Sequence, residues 1–216
     1  LSYRKKNYAL LEASGRVTIK GSSLISRSME GFARRFVREA VDHLLHNDID
    51  ALHALYVDLY NRIAARSLDV RELARAEILR DPIPVYLEEV QSGRRNKSAA
   101  YEVAIASGKE HKVGSRISYY VTGSDPGVKV SEHCRSVDDW NPNFPDENTA
   151  FYLQRLDEVA TKFRDLFHPQ HFREVFSAES LFPFDPASID LIVTRVPSDL
   201  SAPSESDQSS LGPEVE

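Results

Sequence analysis

The sequence predicts an α+β fold that is mostly helical, with an N-terminal β-hairpin, a small second β-element and a disordered tail. Three observations carry this expectation. Apolar residues recur with a helical period from Ser28 onward, two short β-rich runs flank Gly15, and β-branched and aromatic residues cluster from Ile117 to Val121. Pro197 to Glu216 is rich in Ser, Pro and acid and lacks the apolar density a packed segment needs, so disorder is expected there.

The elements follow in order. Tyr8 to Glu12 and Arg16 to Lys20 are separated by Ala13-Ser14-Gly15, the spacing of a hairpin with a glycine-containing loop, and Gly21 breaks the second strand. Phe32, Phe36, Val37, Ala40, Val41, Leu44 and Leu45 then share one helical face, with Arg34, Arg35 and Arg38 mostly off it, free to face solvent or a ligand. Asn47-Asp48 stops that helix and caps the next, whose stripe is Ile49, Leu52, Tyr56, Leu59, Tyr60 and Ile63. So short a connection implies an antiparallel helix pair.

Glu72 to Leu79 reads as a strand, although a helix is also compatible with it. Pro82 and Pro84 punctuate before a short helix to Gln91, and Gly93 to Lys97 is a cationic loop. Ser98 can cap a helix to Ser107 that Gly108 ends in left-handed geometry. Ile117 to Val121 is a strand, and Val128 to Val130 is expected to pair back onto it. Phe151 or Tyr152, Leu156, Val159, Phe163 and Leu166 mark a third long helix. From His168 the signal fades, with Ile189 to Val193 a strand or docking segment. The divisions fall at 1–27, 28–167, 168–196 and 197–216.

A chain of 216 residues holds one ordinary domain with a tail, or two small lobes. Hydrophobic content of 41% and charged content of 28% suit a soluble protein with a real core. No apolar run approaches the roughly 18 to 20 residues that span a bilayer, and no signal pattern opens the chain. Cys134 is the single cysteine, which excludes an internal disulfide and fits a reducing cytoplasm. Leu1 is no initiator Met and the chain begins almost on its basic motif, so it reads as the C-terminal piece of a longer protein.

The net charge of −6 conceals an asymmetry. Leu1 to Glu39 carries nine basic residues against Glu12, Glu30 and Glu39, whereas Pro197 to Glu216 carries five acidic residues and no basic one. Local field, not total charge, steers a polyanion. On charge alone a basic stretch is solvated surface.

Catalytic candidates fall away. Gly108-Lys109-Glu110 lacks the glycine run and hydroxyl of a phosphate loop. His168-Pro169-Gln170-His171 and His133-Cys134 lack a second ligand pair at zinc-like spacing, so no metal is expected. A Cys beside a His in sequence says little about geometry, and Asp138-Asp139 reads as a solvated loop.

Nucleic-acid candidates are stronger. Lys6 and Tyr8 lie two apart and share a strand face, with Lys5 opposite. A lysine there can reach a phosphate or a minor-groove base edge, and a tyrosine hydroxyl can donate to a phosphate oxygen. Lys20 and Arg27 add cationic charge, Gly21 permits close backbone approach, and Ser22 and Ser23 supply hydroxyl and amide donors. Arg94, Arg95 and Lys97 ahead of a capped helix form a second possible phosphate clamp. The alternative for both is exposed polar surface.

Taken in order, these segments resemble the C-terminal part of family B DNA polymerases. Lys5-Lys6-Asn7-Tyr8 is similar to the family's K-K-x-Y motif, and Val17 to Gly21 followed by Arg27 resembles its T-x-[KR]-G…R segment. Ser98 to Ala104 and Val113 to Val121 resemble a helix and the P-G-x-x-I-x-Y-V strand of its thumb, and Asn148 to Leu156 its D-x-x-Y-Y-[IL] helix start. The match runs from Leu1 to about Phe167.

The resemblance implies a palm-edge hairpin over 1–27 and a thumb over 28–167. Lys6 would sense the minor groove of new base pairs and Tyr8 would hold the primer backbone, with Gly21, Ser22, Ser23 and the Arg94-to-Lys97 loop gripping the duplex. The aspartates that hold two Mg²⁺ ions for nucleotidyl transfer would lie upstream of this chain, as would the site for deoxynucleotides. The chain alone should therefore bind primer–template DNA without polymerising. It departs from the family at Arg27-Ser28, where Arg-Asp is frequent, and at Val113, where Pro is usual. Gln208-Ser209-Ser210-Leu211 lacks the aromatic pair of a sliding-clamp motif, so clamp binding is not expected. Two rivals stay open: a catalytically inactive relative acting as a DNA-binding module, and a protein-interaction domain with a basic surface hairpin.

Overall fold

The fold is that of a computed structural model, which describes residues 8–21, 24–26, 28–179 and 183–192. Strands β1 (Tyr8–Leu11) and β2 (Val17–Lys20) pair antiparallel, Tyr8 opposite Lys20 and Leu11 opposite Val17. The hairpin is closed from within by Glu12, which accepts from the Arg16 Nε–H at 3.0 Å, from its Nη2–H at 2.9 Å and from the Thr18 hydroxyl at 2.6 Å. Those donors hold its carboxyl below the usual range, Arg16 foremost.

Helix α1 (Gly31–Leu45) buries the expected stripe, with Phe32, Phe36, Val37, Ala40, Val41 and Leu44 inside and Leu45 half-buried. Gly31 opens it against the backbone of Val70–Leu73 (α3). A Cβ at Gly31 would sit 3.2 Å from both Cα and the carbonyl oxygen of Glu72, so the absence of a side chain permits this approach. Asp48 caps α2 (Ile49–Ala64) by accepting from the Ala51 N–H at 3.1 Å. Helices α1 and α2 join α6 (Thr149–Ala160) and α7 (Pro169–Val175) in the larger core.

A smaller core lies under a three-stranded antiparallel sheet of β3 (Arg75–Ile78), β4 (Arg116–Val121) and β5 (Cys134–Ser136), in the order β3-β4-β5. Helices α4 (Ile83–Gln91) and α5 (Ala99–Ala106) fill its inner side with Tyr86, Tyr101, Val103 and Ala104. Strand β4 serves both cores: Ile117 and Tyr119 belong to the smaller, Val121 to the larger.

Four expectations need correction. The partner of β4 is Cys134–Ser136, not Val128–Val130; those two valines instead pack partly buried on the larger core, and β4 is returned by a longer turn. The stretch 72–79 is divided: Val70–Leu73 makes a helical turn capped by Asp69 before the strand begins at Arg75. The third long helix stays α only to Ala160 and tightens to 3₁₀ over Thr161–Leu166. Ser98 stands at the N-cap of α5, but its side chain makes no capping bond; its N–H donates to the Tyr86 hydroxyl at 3.0 Å. Pro84 lies inside the first turn of α4, where its missing N–H costs nothing.

The faint region after His168 folds onto the larger core. Val175, Phe176 and Ile189 bury there, Leu191 bridges to Phe167, and His53 stacks on Phe184 at 3.9 Å between centroids. Residues 197–216 lie outside the described residues. No helix among those described is long and apolar enough to cross a membrane.

Candidate nucleic-acid interface

Residues directly opposed in an antiparallel pair share a face. Ala9, Val17 and Ile19 turn toward the larger core, so Tyr8, Leu10, Thr18 and Lys20 form the outer face of the hairpin. Tyr8 is 37% exposed and Lys20 is exposed, so a phenol hydroxyl and an ammonium stand side by side at the open end of the ladder. Arg16 is neutralised by Glu12, whereas Lys20 has no ion-pair partner among the described residues.

Gly21 follows with φ of +107°, a conformation that side-chain-bearing residues rarely adopt. It turns the chain into an open cleft between the hairpin and α1, bordered by Lys20, Ser26, Arg38 and Asp42. Arg38 is exposed there and unpaired among the described residues. Its place off the apolar stripe was the sequence signal for it, yet nothing in the sequence linked it to Gly21. Arg35, its neighbour on the helix, is spent on an ion pair with Glu72. Lys5, Lys6, Ser22, Ser23 and Arg27 lie outside the described residues.

The loop ahead of α5 belongs to the smaller core, whereas the hairpin belongs to the larger. Its three cations differ. Arg95 bonds Asp81 at 2.9 Å and Glu89 at 3.1 Å, and its guanidinium lies 5.1 and 4.8 Å from the ring centres of Tyr86 and Tyr101, themselves stacked at 4.1 Å. That arrangement satisfies it in charge and in packing. Arg94 meets Glu88 at 3.0 Å on the surface, and Lys97 is exposed without an ion pair among the described residues. Arg95 thus fixes the loop, and Lys97 is the cation of the loop that no described carboxylate pairs.

Among the described residues there is no group of three or more His, Cys, Asp or Glu side chains that could hold a metal ion. His168 and His171 meet edge to face, 5.7 Å between centroids. Cys134 is half-buried, and desolvation, with the charges of Glu102 and Glu77 adding, pushes its thiol up to about 11. A nucleophile needs the thiolate at working pH, so this cysteine is inert near neutrality. With the folded value above the ordinary one, its contribution to stability is present below pH ~9 and lost as the pH rises toward about 11. Iodoacetamide should therefore alkylate the folded chain far more slowly at pH 8 than the urea-unfolded chain. Equal rates would contradict that burial.

No protein-family model matches the chain. A DNA polymerase of Methanocaldococcus jannaschii is 26% identical over 156 residues, which cover 67% of this chain and 9% of that protein. The solved structure of the family B DNA polymerase from the hyperthermophilic archaeon Pyrobaculum calidifontis superposes with a TM-score of 0.60 at 16% identity, over 77% of this chain and 21% of that one. The chain resembles the C-terminal part of a family B DNA polymerase. It spans about a tenth of the curated relative's length and about a fifth of the solved chain. The polymerase-like fold thus brings together Tyr8, Lys20, Gly21 and Arg38, and leaves Arg94 to Lys97 on the other core.

Proposed function

We propose that this chain is the thumb, with an adjoining strip of palm, of a DNA-directed DNA polymerase, and that it grips the minor-groove side of the primer–template duplex. The observation that carries the reading is the pairing of Tyr8 with Lys20 on the exposed face of the hairpin, beside the positive-φ turn at Gly21. A tyrosine hydroxyl donating to one phosphate oxygen and an ammonium neutralising the next hold a backbone without reading sequence, as a copying enzyme requires. Gly21 lets the strand approach the main chain, and Arg38 offers a second charge across the cleft. Lys5, Lys6, Ser22, Ser23 and Arg27 adjoin this face in sequence and complete the grip; Lys6 contacts the minor groove. Arg94 and Lys97 supply outer contacts, with Arg95 holding their loop in shape.

In this reading the metal-holding aspartates, the Mg²⁺ ions and the deoxynucleotide site belong to the remainder of the parent protein, and the chain alone binds duplex without extending it. The test is primer extension by the full-length polymerase carrying Tyr8→Phe or Lys20→Gln. Each removes a charge-assisted contact worth about 1.5–3 kcal/mol, so primer–template affinity should fall about tenfold or more while the melting temperature stays put. Unchanged extension and affinity in both variants would dispose of the role assignment.

A further inference from the structure

A second cleft opens between α2, the 3₁₀ turn Thr161–Leu166 that follows α6, and the end of α7. It has a volume of about 380 Å³ and shares no residue with the cleft beside the hairpin. Four aromatic rings line it. Tyr56 and Tyr60 lie 6.4 Å apart between centroids, Tyr56 meets Phe176 at 5.7 Å, and Phe172 meets Phe176 at 4.9 Å. Tyr56 and Phe176 are buried, whereas Tyr60 and Phe172 are half-buried.

Two carboxylates line the same cleft from different elements. Asp157 on α6 accepts from the Tyr56 hydroxyl at 2.5 Å, and Glu179, beyond α7, accepts from the Tyr60 hydroxyl at 3.4 Å. Burial first, and these carboxylates after it, push both phenols up from their ordinary value, so both stay donors. The charges of Glu179 and Asp157 both act on Tyr60, which places the two acids around one phenol. A phenol orients a carboxylate but cancels none of its charge. Asp157 and Glu179 are exposed and have no cation partner among the described residues. Their neighbours along the helices do: Asp58 pairs with Arg62, and Glu158 with Arg155.

The cleft already holds one cation. The Arg164 guanidinium lies 5.6 Å from the centre of the Phe172 ring and meets no carboxylate among the described residues. An aromatic wall here therefore takes a planar cation on its face. Two carboxylates against this one guanidinium still leave the lining short of positive charge.

We infer that this cleft receives an arginine side chain from a partner protein, its guanidinium held between Asp157 and Glu179 beside the Tyr60 ring. The inference stands apart from the duplex-binding reading. Aromatic faces favour an organic cation, whereas a hard divalent ion needs about six oxygen ligands. A guanidinium suits both partners, because it stacks on rings and forks onto carboxylate oxygens. The second oxygen of each acid accepts no hydrogen bond among the described residues. Asp157, Thr161 and Glu179 are all exposed, so the cleft stays open to solvent. Small-molecule sites bury about 70–90% of their ligand, and an open cleft better suits a side chain whose backbone rests on the rim.

The test is a titration of the isotope-labelled chain with the pentapeptide Ac-Gly-Gly-Arg-Gly-Gly-NH2, up to about 10 mM, followed by amide chemical shifts. Saturable shifts confined to the cleft, among them Tyr60, Phe172 and Glu179, are the expected result. The same peptide with citrulline, close in shape but uncharged, should cause none. Asp157→Asn/Glu179→Gln should weaken binding about tenfold or more, and Glu179→Gln alone about threefold or more. Asp138→Asn/Asp139→Asn, which removes the same charge from an exposed loop, should leave binding within about twofold. The spectra themselves report folding, and Glu179→Gln, an exposed change, should keep that of the parent chain. No saturable shift, equal shifts with citrulline, or undiminished binding by Glu179→Gln overturns the site. Propylguanidinium binding as tightly as the peptide overturns the assignment to a partner protein.

Discussion

Phe36→Ala is expected to lower the stability of this chain by about 3–5 kcal/mol, a large part of the ~5–15 kcal/mol that holds a domain of this kind together. Phe36 is fully buried, and three aromatic rings meet it edge-on: Tyr56 at 6.3 Å and 62°, Phe163 at 6.3 Å and 72°, and Phe176 at 6.4 Å and 74°. Those rings come from α2, from the 3₁₀ turn after α6 and from the C-terminal end of α7. Truncation removes the transfer free energy of the ring and leaves a cavity that four separate elements cannot jointly close. Each edge-to-face pair adds a further contribution of about 0.5–1.5 kcal/mol at most. Phe144→Ala is the comparison, because that ring is 77% exposed and its loss should change stability by no more than about 0.5 kcal/mol. Urea unfolding followed by circular dichroism reads both variants. A loss below about 1 kcal/mol for Phe36→Ala would mean that the aromatic cluster is not the centre of the fold.

The same cluster shows what sequence could and could not reveal. The stripe from Phe32 to Leu44 and the second stripe from Ile49 to Ile63 were legible because both obey a 3.6-residue period over several turns. The hairpin was legible from its glycine turn, although its strands, Tyr8–Leu11 and Val17–Lys20, each stop one residue short of the expected turn-side limits at Glu12 and Arg16. Pairing partners were not. Val128–Val130 is the more β-prone run, yet Cys134–Ser136 takes the edge of the sheet, because the valines gain more by packing on the larger core. For the candidate site, composition identified Lys20 and Gly21, but only the fold sets Arg38 across the cleft from them. Composition likewise made Arg95 look like a free cation. Its two carboxylates and two tyrosine rings come from positions that no local pattern connects.

Glu30 is the clearest case of a residue whose role lies wholly in tertiary contacts, and its replacement is the second large expected effect. In sequence it is one acid in a basic stretch. In the fold it is completely buried at the N-cap of α1, makes no capping bond, and reaches Arg75 on β3 at 2.5 Å and Arg155 on α6 at 3.2 Å. A buried carboxylate persists only where such partners repay its desolvation, and it carries both of these. Glu30→Gln keeps the shape but removes the charge, leaving Arg75 without a carboxylate and Arg155 with Glu158 alone. The expected cost is about 3–5 kcal/mol, as for other broken buried pairs. Replacing all three members by methionine should recover much of it, because a buried ionic cluster can often be exchanged for apolar packing at little net cost. Equal stability of Glu30→Gln and the parent chain would show that the cluster contributes nothing. The cluster also ties the larger core to the sheet, since Arg75 opens β3 while Glu30 leads into α1. If the chain grips duplex as proposed, loosening the cluster should weaken that grip without removing any group proposed to touch DNA. An all-methionine variant as unstable as Glu30→Gln would show instead that apolar packing cannot replace this ionic cluster.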